Sequence, residues 1–124
     1  MLVNFQMMMF NDLNEHMETF EFKVFGKMED NTLIFPDKMI PNTKYFVTIL
    51  DNEVLIKRVG TIFMEQRFVM GQYVDGIYRI NENIEFLIGS ETEKLEISEN
   101  MILIEYAHYF DGTFHYSNKL KIIF

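Results

Sequence analysis

From Val54 to Phe68 the chain alternates with a period of two: Val54, Ile56, Arg58, Gly60, Ile62, Met64, Gln66 and Phe68 share one parity. Successive strand side chains point to opposite faces, whereas a helical face recurs every three to four residues, so this phase commits the segment to β-structure. The mostly apolar set is expected to face a core, and Lys57, Thr61, Glu65 and Arg67 of the other parity suit solvent. A bend or bulge at Gly60 within one long strand preserves the phase, whereas a hairpin there is able to shift it. With the phase unbroken, Arg58 and Gln66 are polar groups aimed into an apolar interior.

Composition extends the reading to the whole chain of 124 residues, which holds thirteen Phe, six Tyr and a single alanine, Ala107. Helices lean on Ala and strands on aromatic and β-branched residues, so an all-β protein is expected. Turn residues such as Asn11-Asp12, Asp51-Asn52, Asp75-Gly76, Asn81-Glu82-Asn83 and Asp111-Gly112 recur at sandwich or barrel spacing. Between them, strands are predicted over 2–10, 18–28, 32–36, 43–50, 53–59, 61–70, 76–80, 83–89, 91–98, 101–110 and 114–123. With no linker, repeat or low-complexity stretch, residues 1–124 read as one domain, long enough to bury a core.

Several classes are set aside on the same grounds. The formal charge of −8 disfavours nucleic acid, which needs a basic surface. No run of about eighteen apolar residues exists to span a membrane. Absence of cysteine excludes disulfides and thiolate metal sites, and the start Met1–Gln6 lacks the pattern of a secretory leader, so a cytoplasmic location is expected. Met7-Met8-Met9 reads as strand filler, since Met packs irregular gaps.

The last hairpin tests the register. Ile102, Ile104, Tyr106 and Phe110 are even, as are Phe114, Tyr116, Leu120, Ile122 and Phe124. A two-residue Asp111-Gly112 turn pairs even with odd positions, so a three-residue turn with Gly112 in a bulge is expected. His108 and Asn118 then point inward, while His115, Lys119 and Lys121 point out. Histidines on opposite faces cannot share an ion, and two ligands fall short of the three or four that zinc takes, so no metal site is expected.

The segments Glu53-Val54-Leu55-Ile56-Lys57-Arg58-Val59-Gly60 and Met64-Glu65-Gln66-Arg67-Phe68-Val69-Met70-Gly71 are fairly specific as a set. With Tyr78, Ile84-Glu85-Phe86, Thr92, Lys94, Ile102 to Tyr106 and Asn118, the chain over roughly 45–123 resembles the YwiB-like family of small, uncharacterised bacterial proteins. A looser match lies around Glu21-Phe22-Lys23 and Gly26. The resemblance implies a single antiparallel calycin-like β-barrel, similar in architecture to lipocalins, and carries no catalytic residues with it. Asn83 departs from the glycine frequent in that turn.

Two functional readings follow. In the first, an interior lined by Ile56, Ile62, Met64, Phe68, Ile104, Tyr106 and Leu120 holds a small apolar or amphipathic, anionic ligand, oriented by Arg58, Gln66, Tyr106, His108 and Asn118. Arg58 offers a planar fork to a carboxylate, or else pairs with an interior acid such as Glu105 or Glu85. In the second, the core is filled and the protein is an interaction module or homodimer, using an outward stripe of Leu55, Val59, Phe63 and Val69 unless residues 1–10 cover it. An enzyme is not expected: Ser90, Ser98 and Ser117 sit in no nucleophile motif, the pairs Glu91/Glu93 and Glu96/Glu99 read as solvated edges, and no phosphate loop or cofactor motif is present.

Overall fold

The computed structural model describes residues 1–124. Its strands are β1 (Leu2–Phe10), β2 (His16–Phe25), β3 (Lys27–Glu29), β4 (Thr32–Pro36), β5 (Lys44–Leu50), β6 (Glu53–Val59), β7 (Phe63–Val69), β8 (Tyr73–Asn81), β9 (Ile84–Ile97), β10 (Met101–Phe110) and β11 (Thr113–Ile123). All pair antiparallel in the order β2-β1-β11-β10-β9-β8-β7-β6-β5-β4-β3, giving the calycin-like all-β barrel. No helix is long and apolar enough to cross a membrane.

The two ends of that order, β2 and β3, are halves of one extended stretch, which pairs with β1 on one side and β4 on the other and so brings the barrel nearly to closure. The hinge is Gly26, whose N–H donates to the Met1 carbonyl at 2.9 Å while its own carbonyl accepts from the Met1 ammonium at 3.0 Å. A Cβ there would lie 2.7 Å from the Ile34 carbonyl oxygen and 3.0 Å from Val3 Cγ2, closer than packed atoms allow. The sequence reads this region as one strand over 18–28; closure splits it at the residue without a side chain.

At Gly60 the chain makes a hairpin, and the phase survives it. Arg58 faces Met64 and Ile56 faces Gln66 across a connection of odd length, so even positions stay inward. The β10–β11 hairpin reaches the same result by a different device. Its turn is the tight one, Phe110 opposite Thr113 with Asp111 and Gly112 at φ of 49° and 79°, a geometry that matches strand twist. The one-residue mismatch is absorbed lower down, where His108 pairs with Tyr116 but Tyr109 pairs with Phe114, leaving His115 as the extra residue of a bulge. Below the bulge the expected faces hold; above it, Phe114 moves to the side of Tyr109.

Two further boundaries differ from expectation. Asp75-Gly76 lies inside β8 instead of forming a turn. A Cβ on Gly76 would lie 2.3 Å from the Glu65 carbonyl oxygen, so glycine serves a close strand approach there. The segments expected at 83–89 and 91–98 are one strand, β9, with a register shift where Lys94 and Thr92 face Glu105 and Tyr106.

The interior is packed unevenly. Val3, Leu33, Val47, Val54, Phe68, Ile102 and Ile122 are fully buried around the end of the barrel where β6 begins and β7 finishes. Above them lies an aromatic layer, with Phe5 stacked on Phe22 at 4.7 Å, Phe35 stacked on Tyr45 at 5.0 Å, and Phe5 against Tyr45 at 5.1 Å. Gly26→Val is expected to lose about 1–3 kcal/mol or more by overpacking the closure point, read as a lower urea midpoint. An unchanged midpoint would show that the barrel does not depend on this approach.

Candidate functional site

Beyond the aromatic layer the barrel is not filled. A cavity of about 340 Å³ opens there, and Arg58, Gln66, Tyr106, His108 and Asn118 all line it. The shared inward phase of β6, β7, β10 and β11 brings these five together from positions far apart in the chain. Of the apolar residues expected around them, Ile56, Met64, Tyr106 and Leu120 line the cavity. Ile62, Phe68 and Ile104 belong to the packed core instead. The filled-core and open-barrel readings thus each describe one end of the same molecule.

Arg58 sits at the end of β6 beside Tyr45 of β5, its guanidinium 5.2 Å from the ring centroid. Its partner is neither Glu105 nor Glu85. Glu85 is on the outside with Arg79 at 2.7 Å, and Glu105 is near Lys94 at 3.7 Å. Asp37, the first residue after β4, takes that place. Its Oδ2 accepts from Arg58 Nε at 3.1 Å and Nη2 at 2.6 Å, and its carboxylate is fully buried. Asp37 Oδ1 accepts from the Met39 N–H at 2.8 Å, so the same carboxylate also shapes the loop 37–43. That loop is pinned to the β6–β7 turn, where the Thr61 hydroxyl donates to the Pro41 carbonyl at 2.6 Å. Arg58 Nη1 has no partner in the protein.

Deeper in the cavity, Gln66 Nε2 donates to Ser90 Oγ at 3.3 Å and Asn118 Nδ2 donates to Tyr106 Oη at 2.9 Å. Asn118 Oδ1 and His108 Nδ1 are buried without a hydrogen bond, as is Thr92 Oγ1 on the neighbouring strand. Burial holds the Tyr106 and Tyr45 hydroxyls above the usual phenol range, with the Arg58 charge opposing that shift. Burial, reinforced by His115, pushes the His108 imidazole down to about 4. Arg58 and Asp37 form the buried ion pair at a cavity otherwise lined by polar, aromatic and aliphatic side chains.

The expectation that His108 and His115 face opposite ways is corrected. The bulge at His115 turns its ring to the cavity mouth, 6.0 Å from the His108 ring and 4.4 Å from Tyr116. They remain two nitrogen ligands, and no group of three or more His, Asp or Glu is assembled around them. Tyr45, Tyr78 and Asp37 are not expected at the site from the sequence, and Phe110 and Tyr116 are expected on the inward face but not among the ligand contacts. Tyr45, Tyr78, Tyr116 and Phe110 line the cavity. Phase alone marks Tyr78, Tyr116 and Phe110 as even residues of their strands, whereas nothing local marks Asp37.

The outward stripe is less exposed than expected: Leu55, Phe63 and Val69 are half-buried and only Val59 is well exposed, at 42%. Arg79 covers the Phe63 ring at 5.3 Å. Residues 1–10 do not cover the stripe, because β1 is a barrel strand between β2 and β11.

Arg58→Met leaves the Asp37 carboxylate buried without its partner, and a loss of about 3–5 kcal/mol is expected in urea unfolding. Adding Asp37→Asn to that variant should recover most of the loss; no recovery would mean that the pair is not the cause. Because His108 is held neutral in the folded state, the unfolded chain takes up its proton first as pH falls below about 6.5, its ordinary value. Wild type should thus lose stability between about pH 6.5 and 4 relative to His108→Gln, by up to about 3 kcal/mol, in melts across that range.

Comparison with known proteins comes to the same architecture. The crystal structure of the ywiB protein from Bacillus subtilis superposes with a TM-score of 0.68 at 18% sequence identity, covering 98% of this chain and 89% of that one. At that identity the likeness establishes the fold alone. A comparison with curated proteins finds no match. The family model described as "Domain of unknown function (DUF1934)" matches residues 4–122, nearly every strand of the barrel. The closed sheet and its inward polar cluster are thus the features of a chain that belongs to the DUF1934 family.

Proposed function

We propose that this protein binds a small amphipathic molecule in the open half of its barrel. The observation that carries the reading is that residues lining a largely apolar cavity bear buried polar atoms without hydrogen-bond partners. Asn118 Oδ1 and His108 Nδ1 are buried without partners, and the walls around them are aliphatic and aromatic. Native proteins pair nearly all such atoms, so orphans beside an opening argue for an occupant that supplies the missing hydrogen bonds. Water is the competing occupant, and the measurement below separates the two.

Binding is favoured over catalysis by what lines the cavity. Its polar members are Arg58, Gln66, the tyrosines, the two histidines and Asn118, with no serine or threonine nucleophile among them. Arg58, already engaged by Asp37, orients without being consumed. Turnover of any substrate that depends on His108 would overturn this preference.

The protein has no tryptophan, so Phe110→Trp at the cavity mouth introduces a single indole that can be excited apart from the six tyrosines. Native mass spectrometry of freshly purified protein is expected to retain a small mass that disappears on denaturation. Rebinding of the released compound should change the emission of the introduced indole saturably. Adding Leu120→Phe, which crowds the cavity floor, should weaken that rebinding by at least about tenfold. A bare chain whose emission responds to no extracted compound would count against a ligand and leave water as the occupant.

A further inference from the structure

We infer that the molecule held in the open half-barrel is a neutral, planar aromatic compound bearing a hydrogen-bond donor, not a fatty acid or other anionic amphiphile. The inference rests on the binding reading above and narrows it to a ligand class. Three independent observations converge on it.

The first is charge. Arg58 is the group that would draw an anion, but Asp37 holds it through Nε and Nη2, and that carboxylate has no contact with solvent. A ligand carboxylate at Nη1 would share one guanidinium, whose side chain is 14% exposed, with a second anion already bound to it. A neutral polar group meets no such repulsion. Nη1 remains a donor to a neutral oxygen.

The second is hydrogen-bonding polarity. Asn118 is 4% exposed, and its amide nitrogen is already committed to Tyr106, so the atom left free is an acceptor and calls for a donor. His108, 9% exposed, presents a second unpaired nitrogen in an uncharged ring. An alkyl chain satisfies neither atom.

The third is shape. The rings of His108 and Tyr116 stack at 4.9 Å with 20° between their planes, and His115 lies 4.4 Å from Tyr116, so the mouth presents flat π-surfaces. Such faces favour another ring in offset or edge contact. At about 340 Å³ the cavity is at the small end of ligand sites, about 300–1,000 Å³, a size suited to one or two fused rings.

Isothermal titration of the full chain at neutral pH with 2-naphthol, 2-naphthoate, decanol and decanoate varies charge and planarity separately. The expected result is 2-naphthol tighter than the other three by at least about tenfold. Any of the other three binding tightest overturns the inference and leaves the barrel a binding protein. No saturable heat with any of the four also overturns it, and a bare chain in native mass spectrometry would then overturn the binding reading as well. Asp37→Asn removes the charge and keeps one of the two oxygens that serve Met39 and Arg58, and should shift the preference toward 2-naphthoate by about tenfold. An unchanged order in that variant would overturn the charge argument.

Discussion

A chain built from strands alone must pair its backbone groups between strands, and an open sheet leaves two edges unpaired. Here the stretch from His16 to Glu29 resolves the problem by pairing twice, with β1 through β2 and with β4 through β3. Of the 81 backbone hydrogen bonds, 69 lie within the strands, so strand pairing satisfies most of the main chain before any side chain is considered. Everything in the interior follows from that ring, because inward and outward positions are defined only once the ring is closed.

Within the ring, side-chain size grades from one end to the other. Aliphatic residues and Phe68 fill one end, the Phe5, Phe22, Phe35 and Tyr45 layer seals it, and beyond that layer polar and aromatic side chains join aliphatic ones such as Ile56, Met64 and Leu120 on the inward face. An apolar floor under a ring of polar atoms is an amphipathic environment. Its one ion pair joins β6 to the loop after β4, so the same contact that neutralises Arg58 holds the loop 37–43 in shape. Structure and site are therefore not alternatives at Arg58: one edge of its guanidinium is structural and Nη1 remains available.

Local chemistry misled where two devices give one outcome. A three-residue turn and a tight turn with a bulge both return Tyr116, Asn118 and Leu120 to the inward face, and the pattern of apolar residues cannot distinguish them. The difference matters only at the bulge, which brings His115 to the mouth beside His108. Asp75-Gly76 is a comparable case. The dipeptide has turn chemistry, yet Gly76 is needed because the Glu65 backbone passes against it, a contact between residues on separate strands.

While the choice of a barrel came with the family resemblance, the period-two phase, the scarcity of alanine and the spacing of turn residues determined an all-β chain of sandwich or barrel type and the inward direction of Arg58, Gln66, Tyr106, His108 and Asn118. These are local properties, because strand geometry alone assigns alternate residues to one face. Tertiary structure decided how deep the filling reaches, which histidines meet, and that Asp37 is the acid facing Arg58 across a separation of 21 residues. Such choices depend on where strands and loops end up in the closed ring, and a pairing between a strand end and a distant loop leaves no periodic trace in the sequence.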